Sequence, residues 1–236
     1  MSTAQKVAIV TGASQGIGAA LVTAYRKLGY RVVAVSRNIQ ESGDPEILTI
    51  PADLSRPGAG VEVVKQALAK FGRIDTLVNN AGIFVAKPFT ECTDEDYDAV
   101  TGVNLRGFFD ISRGAVAAMV EQGGGHVVSV STTLVDHALS QVPAALASLT
   151  KGGLNAVTKS LAIEYAARQV RVNAVALGIV KTPMHAPETH DYLAELHPIG
   201  RMGEVDEVVD AIVFLENNRF VTGEILHVDG GQSAGH

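Results

Sequence analysis

The sequence of 236 residues predicts one doubly wound α/β domain on a sheet of seven parallel strands. Three observations point there. Short apolar, β-branched runs alternate with longer stretches of helical periodicity. A glycine-rich turn follows the first run and opens the first helical stretch. At 47% hydrophobic and 19% charged residues, the chain can bury a sizeable core and does not have the composition of a disordered one.

The elements follow in order. Residues 6–10 form the first strand, residues 11–18 the glycine-rich turn and residues 19–28 a helix. The second and third strands are residues 31–35 and 46–50. A crossover between parallel strands usually takes ~10–12 residues with its helix. The segment between these two holds Gly43, Asp44 and Pro45, poor helix formers, so the second crossover helix is expected to be reduced to a turn. The remaining strands are residues 76–79, 126–130, 171–175 and 224–228. Long helical patterns cover residues 96–121 and 144–168. Asp94, Glu95 and Asp96 open the first of them, where carboxylates favour the helix dipole. Residues 123–125, all glycine, stop it. In the second, Leu154, Val157, Leu161 and Tyr165 share a face suited to the core or to another subunit. With no repeat or linker, residues 1–236 are expected to form a single domain.

Charge and cysteine content narrow the function. Nineteen basic against 25 acidic residues give a net charge of −6, which argues against a nucleic-acid partner. A single cysteine, Cys92, rules out an internal disulfide and a cysteine-rich metal site. His185, His190 and His197 lack the spacing of a helical metal pair, so no metal is expected. No apolar run approaches the ~18 residues that cross a bilayer, and the N-terminus has no signal-peptide core. The expectation is a cytoplasmic protein with a small-molecule substrate and no membrane partner.

Thr11-Gly12-Ala13-Ser14-Gln15-Gly16-Ile17-Gly18 lies between a buried strand and a helix. Glycines there let backbone N–H groups approach a pyrophosphate, and the helix N-terminus adds partial positive charge. With this turn, the Asp53 turn (Ala52-Asp53-Leu54), Asn79-Asn80-Ala81-Gly82, Val103-Asn104-Leu105, Arg171-Val172-Asn173-Ala174-Val175, Gly178 with Thr182-Pro183-Met184, and Val228-Asp229-Gly230-Gly231, the chain resembles the classical short-chain dehydrogenase/reductases from end to end. The resemblance implies a Rossmann-like fold, a nicotinamide dinucleotide and a homo-oligomer, a dimer or homotetramer, built from the long helices and the last strand. It also implies that Asp53 and Leu54 meet the adenine and that Asn80, Ala81 and Gly82 flank the adenosine. Gly178, Ile179, Val180 and Thr182 would lie near the nicotinamide.

The end of the second strand distinguishes the two nicotinamide cofactors. An acidic residue there would accept from a ribose hydroxyl and repel a phosphate. Ser36 and Arg37 stand there instead, a hydroxyl beside a guanidinium, and predict NADP(H) over NAD(H).

The family's chemistry uses Asn, Ser, Tyr and Lys, and the Tyr hydroxyl transfers the substrate proton. By resemblance Asn104 and Lys151 take the first and last roles, and Lys151 also binds the nicotinamide ribose. Thr132 takes the serine's, with Thr133 as the alternative register. The Tyr position, one helical turn before Lys151, is Ala147, which cannot carry a proton. A water between Lys151 and Thr132 could relay one instead. Among side chains, His137 is the first candidate substitute, ahead of His185, His190, Tyr192 and His197 in the expected lid. Two functions follow. One is NADP(H)-dependent interconversion of a carbonyl and an alcohol. The other is a catalytically inactive NADP(H)-binding sensor or assembly subunit.

Overall fold

Side chains alternate across each strand, and that alternation divides the core in two. In a computed structural model describing residues 5–235, Val7 and Ile9 of β1 (Val7–Thr11) pack on one face while Ala8 and Val10 pack on the other. The seven strands are all parallel, in the order β3-β2-β1-β4-β5-β6-β7. The others are β2 (Arg31–Ser36), β3 (Ile47–Pro51), β4 (Thr76–Asn79), β5 (Gly125–Thr132), β6 (Val170–Leu177) and β7 (Ile225–Val228). Helices α2 (Ala59–Phe71), α4 (Phe108–Gln122) and α5 (Ala145–Tyr165) contribute Val63, Ile111 and Ala162 to the first face. Helices α1 (Gly16–Lys27) and α7 (Val205–Asn217) cover the second with Leu21, Tyr25, Ile212 and Leu215. Parallel strands buried on both faces read as continuous apolar runs, which is why all seven were visible.

No helix joins β2 to β3, as the Gly43-Asp44-Pro45 run requires. Strand β5 runs past its predicted end, because Ser131 and Thr132 continue the ladder opposite Ala176 and Leu177 of β6. The long pattern predicted at residues 96–121 is not one α-helix. Helix α3 (Asp94–Thr101), capped by Thr93, passes into a π-helical turn at Gly102–Gly107 before α4 begins. A short helix, α6 (His190–Glu195), sits in the segment after β6. Leu161 and Tyr165, both partly buried, pack against the core. No helix among the described residues is long and apolar enough to cross a membrane.

A buried polar cluster lies toward the N-terminal ends of the strands. The Glu216 carboxylate of α7 accepts from Tyr30 at 2.8 Å, Thr76 at 3.0 Å and Tyr25 at 3.3 Å. His126 Nδ1 lies 2.9 Å from it. Asn173 Nδ2 donates to His126 Nε2 at 3.0 Å, so the ring is neutral and Nδ1 carries the proton toward Glu216. Burial alone would raise the Glu216 carboxyl; the hydrogen bonds from His126, Tyr30 and Thr76 outweigh it and hold the group below the usual carboxylate range. The folded pKa being depressed, this contribution to stability is complete above the unfolded value near 4.5 and is lost as pH falls toward the folded one. Glu216→Ala leaves buried donors unpaired and is expected to cost about 3 kcal/mol, read as a lower urea midpoint at neutral pH.

Candidate active site

Strand order reverses between β1 and β4, and a crevice opens at their C-terminal ends. Thr11 ties the two strands together. Its hydroxyl donates to the Val78 carbonyl at 3.2 Å and accepts from the amides of Asn80 and Ala81 at 3.0 and 2.9 Å. Asn80 Nδ2 donates back to the Thr11 carbonyl at 2.9 Å. From the residues alone, Thr11 had no role beyond its place in the turn.

The turn is left-handed at Gly12 and Gly16, with φ of 66° and 53°. A Cβ on Gly12 would lie 2.8 Å from Asn80 Nδ2, and one on Gly18 would collide with the Gly12 carbonyl oxygen. Gly18 thus packs α1 against the turn, while Gly12, Ser14, Gln15, Gly16 and Ile17 line a cleft of about 250 Å³. Its far side is formed by Asn80, Ala81 and Gly82, and Leu54 and Thr182 also border it. At its open end Ser36 donates to Ser14 Oγ at 2.9 Å. Arg37 beside it is exposed and makes no hydrogen bond or ion pair among the described residues. Asp53 lies within its electrostatic reach. The Ser55 hydroxyl and amide, then Arg56 and Arg37, hold that carboxyl below its ordinary value. A glycine cradle at a helix N-terminus fits the pyrophosphate of a dinucleotide, and an exposed guanidinium stands at one end of it.

A second cavity, of about 690 Å³, adjoins the cleft and shares Ile17, Asn80, Gly82 and Thr182 with it as lining. Helix α5 brings Ala147 and Lys151, one turn apart, to its wall, and the end of β5 brings Thr132. Gly178, Ile179 and Val180 line it after β6. Lys151 Nζ donates to the Val130 carbonyl at 2.6 Å, and a Cβ on Gly82 would lie 3.1 Å from it. Burial, with no carboxylate contributing, lowers its pKa to about 8. Thr132 faces the cavity, while Thr133 is buried and donates to Asp229 Oδ2 at 3.0 Å.

Two expectations change here. Asn104 does not line the cavity. Its Oδ1 accepts from the Ile83 amide at 3.0 Å, and its Nδ2 donates to the Ile83 carbonyl at 3.1 Å and to Thr150 Oγ1 at 3.2 Å. With both edges of its side-chain amide engaged, Asn104, carried on the π-helical turn, holds the Gly82–Ile83 wall. His137 is likewise outside the cavity lining, because the short turn after β5 folds the chain back at Thr133. The lid supplies His185 and Tyr192 instead, and burial lowers the His185 pKa. His197 is a structural pin. Its Nε2 accepts from the Ile179 amide at 2.9 Å, so Nδ1 donates to the Leu193 carbonyl at 3.0 Å, tying α6 to the cavity wall.

The Enoyl-(Acyl carrier protein) reductase family model matches residues 12–233. The chain is a classical short-chain dehydrogenase/reductase. Mouse (Mus musculus) L-xylulose reductase is 38% identical over 95% of each chain. Among solved structures, "ElxO with NADP Bound" superposes with a TM-score of 0.91 at 28% identity, covering 98% of this chain and 100% of that one. A 3-ketoacyl-(acyl-carrier-protein) reductase from Brucella melitensis complexed with NADH gives 0.88 at 31%, with the same coverage.

Proposed function

We propose that this short-chain dehydrogenase/reductase interconverts a carbonyl and an alcohol with NADP(H), and that Ala147 stands at the position of the family's tyrosine. The observation that carries the reading is that Lys151 and Thr132 line one cavity that shares a wall with the glycine-rich cleft. Gly12 to Ile17 would hold the pyrophosphate, with Asp53 and Leu54 along the adenine. Ser36 and Arg37 would take the 2′-phosphate, and Lys151 with Gly178 to Thr182 the nicotinamide side. The bound nicotinamide supplies or takes up hydride. Thr132 hydrogen-bonds the substrate oxygen, and Lys151, matched to neutral pH by burial, gives or takes the proton directly or through a water beside Ala147. General acid–base help of this kind is worth roughly 10²–10⁴ in rate, so losing a phenol slows the reaction without forbidding it.

The cavity suits an uncharged, largely apolar substrate. Leu134, Leu139, Val142, Pro143, Met184 and Leu193 are on its wall, and Lys151 is the one Asp, Glu, Lys or Arg among the described residues that line it. A polyhydroxylated ketose such as L-xylulose matches that wall poorly. Exposed Phe109, Leu149 and Ile163 on α4 and α5, with Phe214 and Phe220 near the end of α7, support a homo-oligomer.

The test is NADPH oxidation across a panel of aldehydes, ketones and quinones. Turnover above the uncatalysed background is expected. NADPH binding with no turnover on any member would replace this reading with the cofactor-binding sensor or assembly subunit. For the cofactor, Arg37→Asp is expected to weaken NADPH binding about 10-fold or more while NADH binding improves, measured by calorimetry. Equal loss for both cofactors would remove Arg37 from the phosphate site.

A further inference from the structure

The larger cavity holds a polar group that neither the proton chemistry nor the fold uses. Gln232 is 1% exposed and lines the cavity, and its side-chain amide has no hydrogen-bond partner among the described residues. The fully buried side-chain polar atoms without a partner among the described residues are Ser129 Oγ and Asn155 Oδ1, so the Gln232 amide reaches the cavity space, where a bound group can pair with it. The backbone around this one is built to hold it still. Gly230 and Gly231 take left-handed conformations, with φ of 60° and 91°. The Asp229 carboxylate then accepts from the amides of Gly231 at 3.0 Å and Ser233 at 2.9 Å. The same carboxylate accepts the Thr133 hydroxyl at 3.0 Å, which anchors the turn beside Thr132. A residue next to the substrate-facing threonine is thus spent on fixing the segment that carries Gln232.

We infer that Gln232 is a specificity-determining residue whose amide recognises a second, uncharged oxygen function of the substrate, a hydroxyl or carbonyl away from the reacting carbon. The amide both donates and accepts, so it serves either group. With apolar side chains making up most of the rest of the wall and no Asp, Glu or Arg lining it among the described residues, the substrate class is a mainly hydrocarbon carbonyl compound carrying one further neutral oxygen. A site that hydrogen-bonds such an oxygen rejects the analogue lacking it far more strongly than an apolar pocket rejects an extra methylene.

The inference rests on reading this cavity as the substrate site, and the test separates the two. A panel of cycloalkanones and aryl ketones is prepared as isosteric pairs, each with a hydroxymethyl group in one member and an ethyl group in the other. Affinity is measured by calorimetry on the enzyme–NADP⁺ complex, and KM and kcat with NADPH. At least one hydroxymethyl member is expected to bind 10-fold or more tightly than its ethyl partner. In Gln232→Met, close in volume and without the amide, that ratio is expected to fall to near one, with the change in KM and not in kcat. Gln232→Ala, with NADP⁺ affinity as a check on folding, should lose the ratio in the same way. Discrimination in binding without turnover keeps the subsite and overturns the redox reading. Turnover with no discriminating pair, or a ratio that survives both substitutions, overturns the subsite.

Discussion

Ala147→Tyr is expected to raise kcat for ketone reduction by about 10²-fold, equivalent to ~2.7 kcal/mol of barrier, with little change in NADPH affinity. Ala147 and Lys151 lie one turn apart on α5 and both line the cavity of about 690 Å³, so a longer side chain at position 147 would enter the space where Lys151 and Thr132 already stand. A phenol of ordinary pKa is a poor proton carrier at neutral pH, but the Lys151 ammonium beside it would favour the phenolate and bring it into range. The partners needed to use that phenol are present: Thr132 to hold the substrate oxygen, Lys151 to tune the hydroxyl. A folded variant that binds NADPH and gains nothing would mean that the wall near Ala147 no longer admits a reacting carbonyl. The measurement is steady-state kinetics on the best ketone of the panel, beside the thermal midpoint of each protein.

How much of this was legible in the residues depends on how local the physics is. The seven strands and the lost crossover helix could be read, because parallel strands buried on both faces are apolar throughout and the Gly43-Asp44-Pro45 run cannot hold a helix. The glycine turn could be read for the same reason, since its conformations are set by residues adjacent in sequence. What escaped was long-range. Asn104 sat in a well-matched motif, yet its amide is taken up by Ile83 and by Thr150, 46 residues away. His137 looked promising from its place in the chain, but the direction of the turn after β5 decides which side chains reach the cavity. His197 was legible only as a lid side chain, and Gln232 gave no signal. One is defined by backbone partners on other segments, the other by having none, and neither condition leaves a pattern in a single sequence. The Glu216 cluster is similar, drawing its donors from α1, the turn after it and two strands.

Lys151 is where the largest loss is expected. Lys151→Met should lower kcat for reduction by about 10²-fold or more, because no other charged side chain among the described residues lines the cavity. Lys151→Arg keeps the positive charge and the donor to the Val130 carbonyl but cannot release a proton near neutrality, so it separates binding from proton transfer. It should retain much of the NADPH affinity while kcat falls nearly as far as in Lys151→Met. The pH dependence gives the sign. Reduction needs the protonated amine, so the rate should hold at lower pH and fall as pH rises through about 8, while oxidation should rise over the same range. Arginine does not titrate there, and the inflection should vanish in Lys151→Arg. If it stays, the proton comes from another group, and His185, which also lines the cavity and whose burial lowers its pKa, is the next side chain to replace. A phenol introduced at position 147 should move the same inflection, since the two groups would then titrate as a pair. The double variant Ala147→Tyr with Lys151→Met therefore tests whether the amine acts as the acid itself or only tunes one. With the amine as the only acid at present, the phenol should rescue part of the loss that Lys151→Met causes alone.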